Sequence, residues 1–417
     1  MKDYICPSCG KWLPGNNPAF CPYCGHPLTN NQKAQNNPPK PQSPNPGPRP
    51  NPNPGPRPNP SPNPQPKAPN PGPVPPDPNP QPQNNPGPQN GSTVGSYFND
   101  YVGNTGNSNL NWKVLFTDIF KPHKTSECEK IFISGTTETT PDPMNVSNDW
   151  PRPWLYFRVF LTFLAAYILL FLGCSLFGNT NLLPGLIIVG AMLVPISSVM
   201  LFVEMNVFRN VSMYKVALIF LVGGCASLFF TLILFEFFPF ESLDFIGALI
   251  TGIVEEIGKA AIIYIFLKRL AADKVLVGLL IGATIGAGFA AFETAGYALN
   301  ILMAYGWDQM MDTIFLRNIL TPGGHIAWGA ISGAAIVLAC KNGYSVSNLF
   351  STRFLKLFIV PVVLHFIWDS PIANIGSEFY LMYLILIAVV WAFLLALINL
   401  GLSEVPTSNQ NQTQNQP

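Results

Sequence analysis

Four stretches of this chain carry ionisable residues inside otherwise greasy runs. They read Gly252-Ile-Val-Glu255-Glu256-Ile-Gly-Lys259, Gly288-Phe289-Ala-Ala-Phe292-Glu293, a lone His325, and His365-Phe-Ile-Trp368-Asp369. At the centre of a bilayer such a group costs at least ~2.5–3.5 kcal/mol, so each must face a protein interior or a water-filled cavity. Helical spacing sorts them. Glu255 and Lys259 are four apart, Glu256 and Lys259 three apart, and His365 and Asp369 four apart, so each pair shares a face. A lysine beside two carboxylates can hold one ionised and the other protonated. A glutamate in that setting can deprotonate a water. A histidine can donate to the oxyanion formed when that water attacks a peptide carbonyl. Alternatively, the Glu and His side chains bind a divalent metal that activates the water. Either route covers peptide-bond hydrolysis inside a membrane.

Each feature also has a plainer reading. A Glu–Lys pair is commonly a buried ion pair, a single histidine a packing residue, and His365–Asp369 an orienting pair. Convergence favours a site: four consecutive spans bring these groups to one level, at or somewhat outside the bilayer centre by the helical rise of about 1.5 Å per residue. Phe289, Phe292 and Trp368 read as packing around them. Glu204, Arg209, Glu236 and Arg317 lie near span ends and read as interface or supporting groups. Two other function classes fit the same charges: an ion- or proton-coupled transporter using them as a relay, and a non-enzymatic sensor or scaffold.

The elements that must position these groups follow from composition. Of 417 residues, 48% are hydrophobic and only 11% charged, against about 25% charge in a soluble protein. Mean hydropathy is +0.25 although 43 prolines, mostly in one early tract, pull it down. The expected fold is an all-α polytopic membrane protein. Eight apolar segments can be drawn, at 155–178, 182–205, 213–238, 243–268, 274–304, 314–340, 354–372 and 377–402, with a break expected at Pro322-Gly323-Gly324. A net charge of +1 gives no basic excess of the kind nucleic-acid binders carry, and the glycines lack a collagen period. Arg152, Arg158, Arg209, Lys215, Lys268, Arg269, Lys274, Lys341, Arg353 and Lys356 flank one side of the spans. Glu236, Glu241, Asp244, Asp308, Asp312 and Glu378 flank the other, which is free of Lys and Arg save Arg317 at the edge of the sixth segment. This asymmetry places both termini in the cytoplasm.

Ahead of the membrane domain (150–402) come three further zones, and a polar tail, 403–417, follows it. Residues 1–30 hold Cys6-Pro-Ser-Cys9-Gly and Cys21-Pro-Tyr-Cys24-Gly, which predict a structural zinc ribbon with four thiolate ligands, kept reduced in the cytosol. Its expected role is to bind a cytosolic protein partner or to regulate. No apolar stretch follows Met1–Ile5, so no signal peptide is expected. Residues 31–92, rich in Pro, Asn and Gln, predict a disordered, polyproline-biased spacer. Residues 93–149 are polar and mixed, with one or two short helices expected over Trp112–Pro122 and Ser126–Ser134. Cys128, Cys174, Cys225 and Cys340 are expected to be unpaired, and Asn145-Val-Ser147 is a weak glycosylation match on the wrong side for a lumen.

The ordered set Glu255-Glu256-x-x-Lys259, Phe289-x-x-x-Glu293, His325 and His365-x-x-Trp368-Asp369 resembles the motifs of the PrsW intramembrane proteases, part of a broader group with the CAAX prenyl-endopeptidases and bacteriocin-processing enzymes. The resemblance covers roughly Trp150–Leu402, with one departure: Thr294 follows the motif glutamate where the family often has Asn. It implies a helical protease of the bacterial cytoplasmic membrane that cleaves single-pass membrane proteins, an anti-sigma factor among them. It also implies Glu255 as the water-activating base, Glu256 and Lys259 tuning it, and Glu293, His325, His365 and Asp369 completing the site. The family is described both as metal-dependent and as glutamate-dependent.

Overall fold

The computed structural model describes residues 4–5, 12–13, 94–104, 110–240, 242–374 and 379–406. The chain divides into two units, Met1–Asn84 and Asn85–Pro417. In the first, two short strands, β1 (Tyr4–Ile5) and β2 (Trp12–Leu13), pair antiparallel with Tyr4 opposite Leu13 and Ile5 opposite Trp12. The expected zinc ligands Cys6, Cys9, Cys21 and Cys24, the Pro-rich spacer and the tail beyond 406 lie outside the described residues.

The second unit is helical. Polar residues before the membrane form α1 (Val94–Val102), a short 3-10 helix at Trp112–Phe116, and α2 (Thr125–Phe132). The last two fall where short helices were expected. The first was not foreseen. Then follow α3 (Leu155–Phe177), α4 (Leu183–Met205), α5 (Met213–Leu218) running through a widened turn into α6 (Gly224–Phe237), α7 (Phe245–Leu270), α8 (Val275–Tyr305), α9 (Trp307–Leu320), α10 (His325–Ala339), α11 (Thr352–Asp369) and α12 (Phe379–Leu402). Helix α1 docks on α12 through Phe98 and Tyr101, whose rings meet Phe393 edge-on, and the Tyr101 hydroxyl donates to the Lys356 carbonyl of α11 at 2.6 Å.

Among the described residues, six segments are long and apolar enough to cross a membrane: Leu155–Phe177, Thr180–Met205, Met213–Phe237, Val275–Tyr305, Trp307–Ala339 and Leu381–Leu402. This is a multi-pass membrane protein. Six of the eight drawn segments coincide with these spans. The other two drawn segments are also helices, α7 and α11, but their charge sets them apart: α7 carries Glu255, Glu256, Lys259, Lys268 and Arg269, and α11 carries Arg353, Lys356 and Asp369. These are the helices that hold most of the candidate site. The sixth segment also starts earlier than drawn, at Trp307, and breaks at Thr321–Gly323 as Pro322 and its glycines predict.

Helix α8 is the buried axis of the bundle. It packs on α10 with a row of glycines, Gly278, Gly282 and Gly286, four apart, facing Gly333, Gly329 and the His325 backbone. Without lipid-driven burial, close backbone approach of this kind supplies the packing energy. A Cβ at Gly286 would lie 2.1 Å from the His325 carbonyl oxygen, so the glycine fixes how near His325 comes to α8. Helix α3 is the least buried of the spans and is held at its start by Glu204 of α4. That carboxylate accepts from the backbone N–H groups of Trp154, Leu155 and Tyr156 at 2.9, 2.9 and 2.8 Å, satisfying helix donors that have no partner of their own. Glu404 does the same for α8, accepting from Val275 N–H at 2.7 Å while pairing with Lys341. Cys128, Cys174, Cys225 and Cys340 are free thiols.

Candidate active site

Helix α7 turns its acidic pair inward because it lies tight against α11. A Cβ at Gly252 would meet the Phe366 amide nitrogen at 3.1 Å and the Val362 carbonyl at 3.2 Å, closer than ordinary contact, so glycine favours the approach that brings Glu255 and Glu256 to His365. Glu256 and Lys259 show no surface at all. The Lys259 ammonium has three hydrogens and finds three acceptors: Glu256 Oε1 at 2.8 Å, His325 Nδ1 at 2.8 Å and Glu255 Oε2 at 3.5 Å. Its open side lies over the Phe289 ring, 4.3 Å from the centroid. Phe289 is thus a cation-facing ring as well as packing. His365 spans two carboxylates, with Nδ1 2.9 Å from Glu256 Oε1 and Nε2 3.2 Å from Asp369 Oδ2. Trp328 stacks on it at 4.3 Å between centroids, inclined by 25°, and fixes the ring plane.

A second set of groups lies toward a cavity of about 480 Å³. Glu255 Oε2 sits 3.8 Å from His365 Nε2 and 3.9 Å from His325 Nδ1. His325, the first residue of α10, reaches Glu293 Oε2 through Nε2 at 3.1 Å. That same oxygen accepts from Arg317 Nη2, and Arg317 Nε donates to Thr294 Oγ1 at 2.9 Å. The cavity wall includes Glu255, Glu293, Arg317, His325, His365 and Asp369, with Phe235, Phe240, Leu243, Tyr297, Trp368 and Tyr383 as its apolar part. Three buried polar atoms here, Thr251 Oγ1, Glu256 Oε2 and Trp328 Nε1, have no hydrogen-bond partner.

The structure thus brings together all seven residues singled out in the sequence: Glu255, Glu256, Lys259, Glu293, His325, His365 and Asp369. It adds Arg317, which the sequence reading had left at a span edge, and Trp328, which it had not noticed. Arg317 carried one signal: it was the single basic residue on a side otherwise free of Lys and Arg. Two larger cavities, of about 1200 and 810 Å³, lie elsewhere. The first is lined by amides with Arg152 and Arg209, the second by aromatic and aliphatic side chains of α3, α4 and α9. Neither contains a comparable cluster of carboxylates and imidazoles, so size alone misdirects.

One carboxylate oxygen and two imidazole nitrogens, from Glu255, His325 and His365, lie within 4.8 Å of one another. Two imidazoles and a carboxylate are a donor set that a zinc-like ion would take, once His325 Nδ1 gives up the Lys259 ammonium. The separations of 3.8 and 3.9 Å are near those that ligands of a single ion adopt, and His365 Nδ1 faces Glu256 as the outer partner of a metal-bound histidine does.

Residues 212–397 match the family model PrsW-protease, described as PrsW family intramembrane metalloprotease. The matched region runs from the start of α5 into α12, contains all seven residues and Arg317, and omits α3 and α4. No curated protein and no solved structure matches the chain.

Proposed function

We propose that this protein is an intramembrane endopeptidase that hydrolyses a peptide bond of a membrane-protein substrate, with Glu255 as the proton acceptor. The observation that carries the reading is a cavity whose wall offers carboxylates, imidazoles and apolar side chains together, at the residues a membrane-protease family model covers. A substrate helix must unwind to expose a carbonyl to such a cavity, and the aromatic wall gives its apolar side chains a place to rest.

Glu255 has an oxygen to spare. Oε2 is gathered with Lys259 and the two imidazoles, whereas Oε1 makes no hydrogen bond or ion pair with a described residue. A water held there gives a proton to Glu255 while its oxygen attacks the carbonyl carbon. His365 Nε2, 3.8 Å from Glu255 Oε2, is the imidazole edge that can donate to the resulting oxyanion, while His325 gives its one hydrogen to Glu293. The Glu255 proton then passes to the leaving nitrogen as the C–N bond breaks. Glu255, His325 and His365 would also hold a divalent ion, which when bound lowers the pKa of a coordinated water and polarises the carbonyl. Lys259 and Glu256 keep the buried side of the site neutral as a pair, and Asp369 orients His365.

The charge asymmetry of the loops supports cytoplasmic termini, in a bacterial cytoplasmic membrane. A zinc ribbon at residues 1–30 on a Pro-rich tether fits a partner-binding or regulatory role there, and an anti-sigma-factor-like protein fits as substrate. The test compares new protein N-termini in membranes of cells carrying the wild-type chain or Glu255→Gln. Termini lying within transmembrane segments are expected to vanish in the variant, at unchanged protein level. The same set of termini in both would sink the assignment.

A further inference from the structure

Arg317 stands on α9, outside every motif that marks the site in the sequence, yet it grips one face of α8 at three points. Its guanidinium donates to Glu293 Oε2 through Nη2 and to Thr294 Oγ1 through Nε at 2.9 Å, and it lies 4.7 Å over the ring of Tyr297. The Glu293 oxygen that takes the arginine is also the one 3.1 Å from His325 Nε2. A carboxylate paired to a guanidinium offers only lone pairs, so Nε2 must carry the imidazole hydrogen. On the other edge of the ring, the Lys259 ammonium at 2.8 Å offers only hydrogens, so Nδ1 must carry the lone pair. Two neighbours from different helices demand the same form of the ring.

We propose that Arg317 is a positioning residue: by fixing Glu293 it holds His325 in the Nε2–H tautomer, with the Nδ1 lone pair turned toward Glu255 and Lys259. The inference rests on the protease reading for its consequence, but not for its geometry. With the guanidinium removed, Glu293 loses the cation that fixes it and is free to turn from His325 toward the cavity. The ring then loses the fixed acceptor for its Nε2 hydrogen, and Lys259 alone is left to set the tautomer. An outer partner of this kind is worth about 10–100-fold in activity. A simple staple between α8 and α9 would lower stability and leave the Nε2–H signal of His325 alone.

The full chain has four histidines, so 15N-histidine labelling in lipid bilayers gives a spectrum that His325→Gln assigns. Solid-state 15N shifts are expected to show His325 as the hydrogen-bonded Nε2–H form in wild type and in Arg317→Lys, and with its Nε2–H signal shifted and broadened, its acceptor no longer fixed, in Arg317→Met. On a peptide spanning a cleavage site found as above, kcat is expected to fall about 10–100-fold in Arg317→Met, with KM little changed and partial recovery in Arg317→Lys. Should Arg317→Met not accumulate, Arg317→Gln, which keeps a donor for Thr294 without the charge, is read in its place. An unchanged Nε2–H signal in the uncharged variant overturns the proposal. Absence of cleavage by the wild type would defeat the protease reading alone, since the tautomer is read without turnover.

Discussion

Glu255 and Glu256 are neighbours in sequence with opposite fates. Glu256, Lys259 and the Nδ1 edge of His365 form a dry inner layer, in which both charged side chains of the salt bridge are fully buried. Glu255, Glu293 and Arg317 form an outer layer that keeps 11, 18 and 30% of its side-chain surface at the cavity. The inner layer is a closed set of matched donors and acceptors, apart from the unpartnered Glu256 Oε2. The outer layer has spare capacity, most clearly at Glu255. A buried ion pair contributes little net stability, but breaking it is costly. The contrast teaches that the same residue types serve two ends here: charges that hold helices in register, and charges left available for chemistry.

The strongest challenge to that division is Lys259→Met. It strands Glu256 in the interior and is expected to cost about 3–5 kcal/mol, seen as a large fall in thermal stability in detergent. The double variant Lys259→Met with Glu256→Gln should regain much of the loss, and Glu255→Gln alone should unfold near the wild-type temperature. Equal destabilisation by Glu255→Gln and Lys259→Met would erase the distinction between layers.

A sharper question is whether the outer layer holds an ion. The full chain with Cys6, Cys9, Cys21 and Cys24 all changed to serine removes the thiolates of the proposed ribbon, whose zinc would otherwise mask it. That protein is expected to keep one divalent ion per chain, and His325→Ala on the same background should weaken binding at least as much as the ~10–100-fold that loss of an outer partner costs. Full cleavage with no ion bound would assign the chemistry to the carboxylates alone.

The smallest expected effect comes from packing. Gly286→Ala puts a methyl where the His325 carbonyl now lies, at 2.1 Å from the new carbon. Overpacking of this kind costs typically about 1–3 kcal/mol. Because the displaced residue is His325, cleavage should suffer while Lys259 and Glu256 stay paired. A Gly286→Ala variant with native activity would mean that His325 tolerates more movement than its close fit to α8 implies.

Much of this was legible before any coordinates. An unbroken greasy run punctuated by Glu, Glu and Lys can be read because lipid makes each charge costly, and helical spacing pairs the charges that share a face. The break before His325 was legible because Pro322 cannot continue a helix and the two glycines after it favour one poorly. Arg317 was placed no more closely than as an interface or supporting group because its helix also carries Asp308, Asp312 and Asn318 and looks like the end of a span. Its partner Glu293 is on another helix, so no local pattern announces the pair. Glu204 was placed no more closely for a related reason: its partners are backbone amides at the start of α3, which carry no side-chain signature.

The sequence by itself determined which helices bear the costly groups and which of those groups share a face, because helical periodicity and the low polarity of lipid act locally along the chain. Only the tertiary structure decided that Glu256 is sealed and Glu255 left open. Adjacent positions on a helix point roughly 100° apart, and what each one meets is set by α8, α10 and α11, brought to α7 by glycine contacts between residues far apart in the chain.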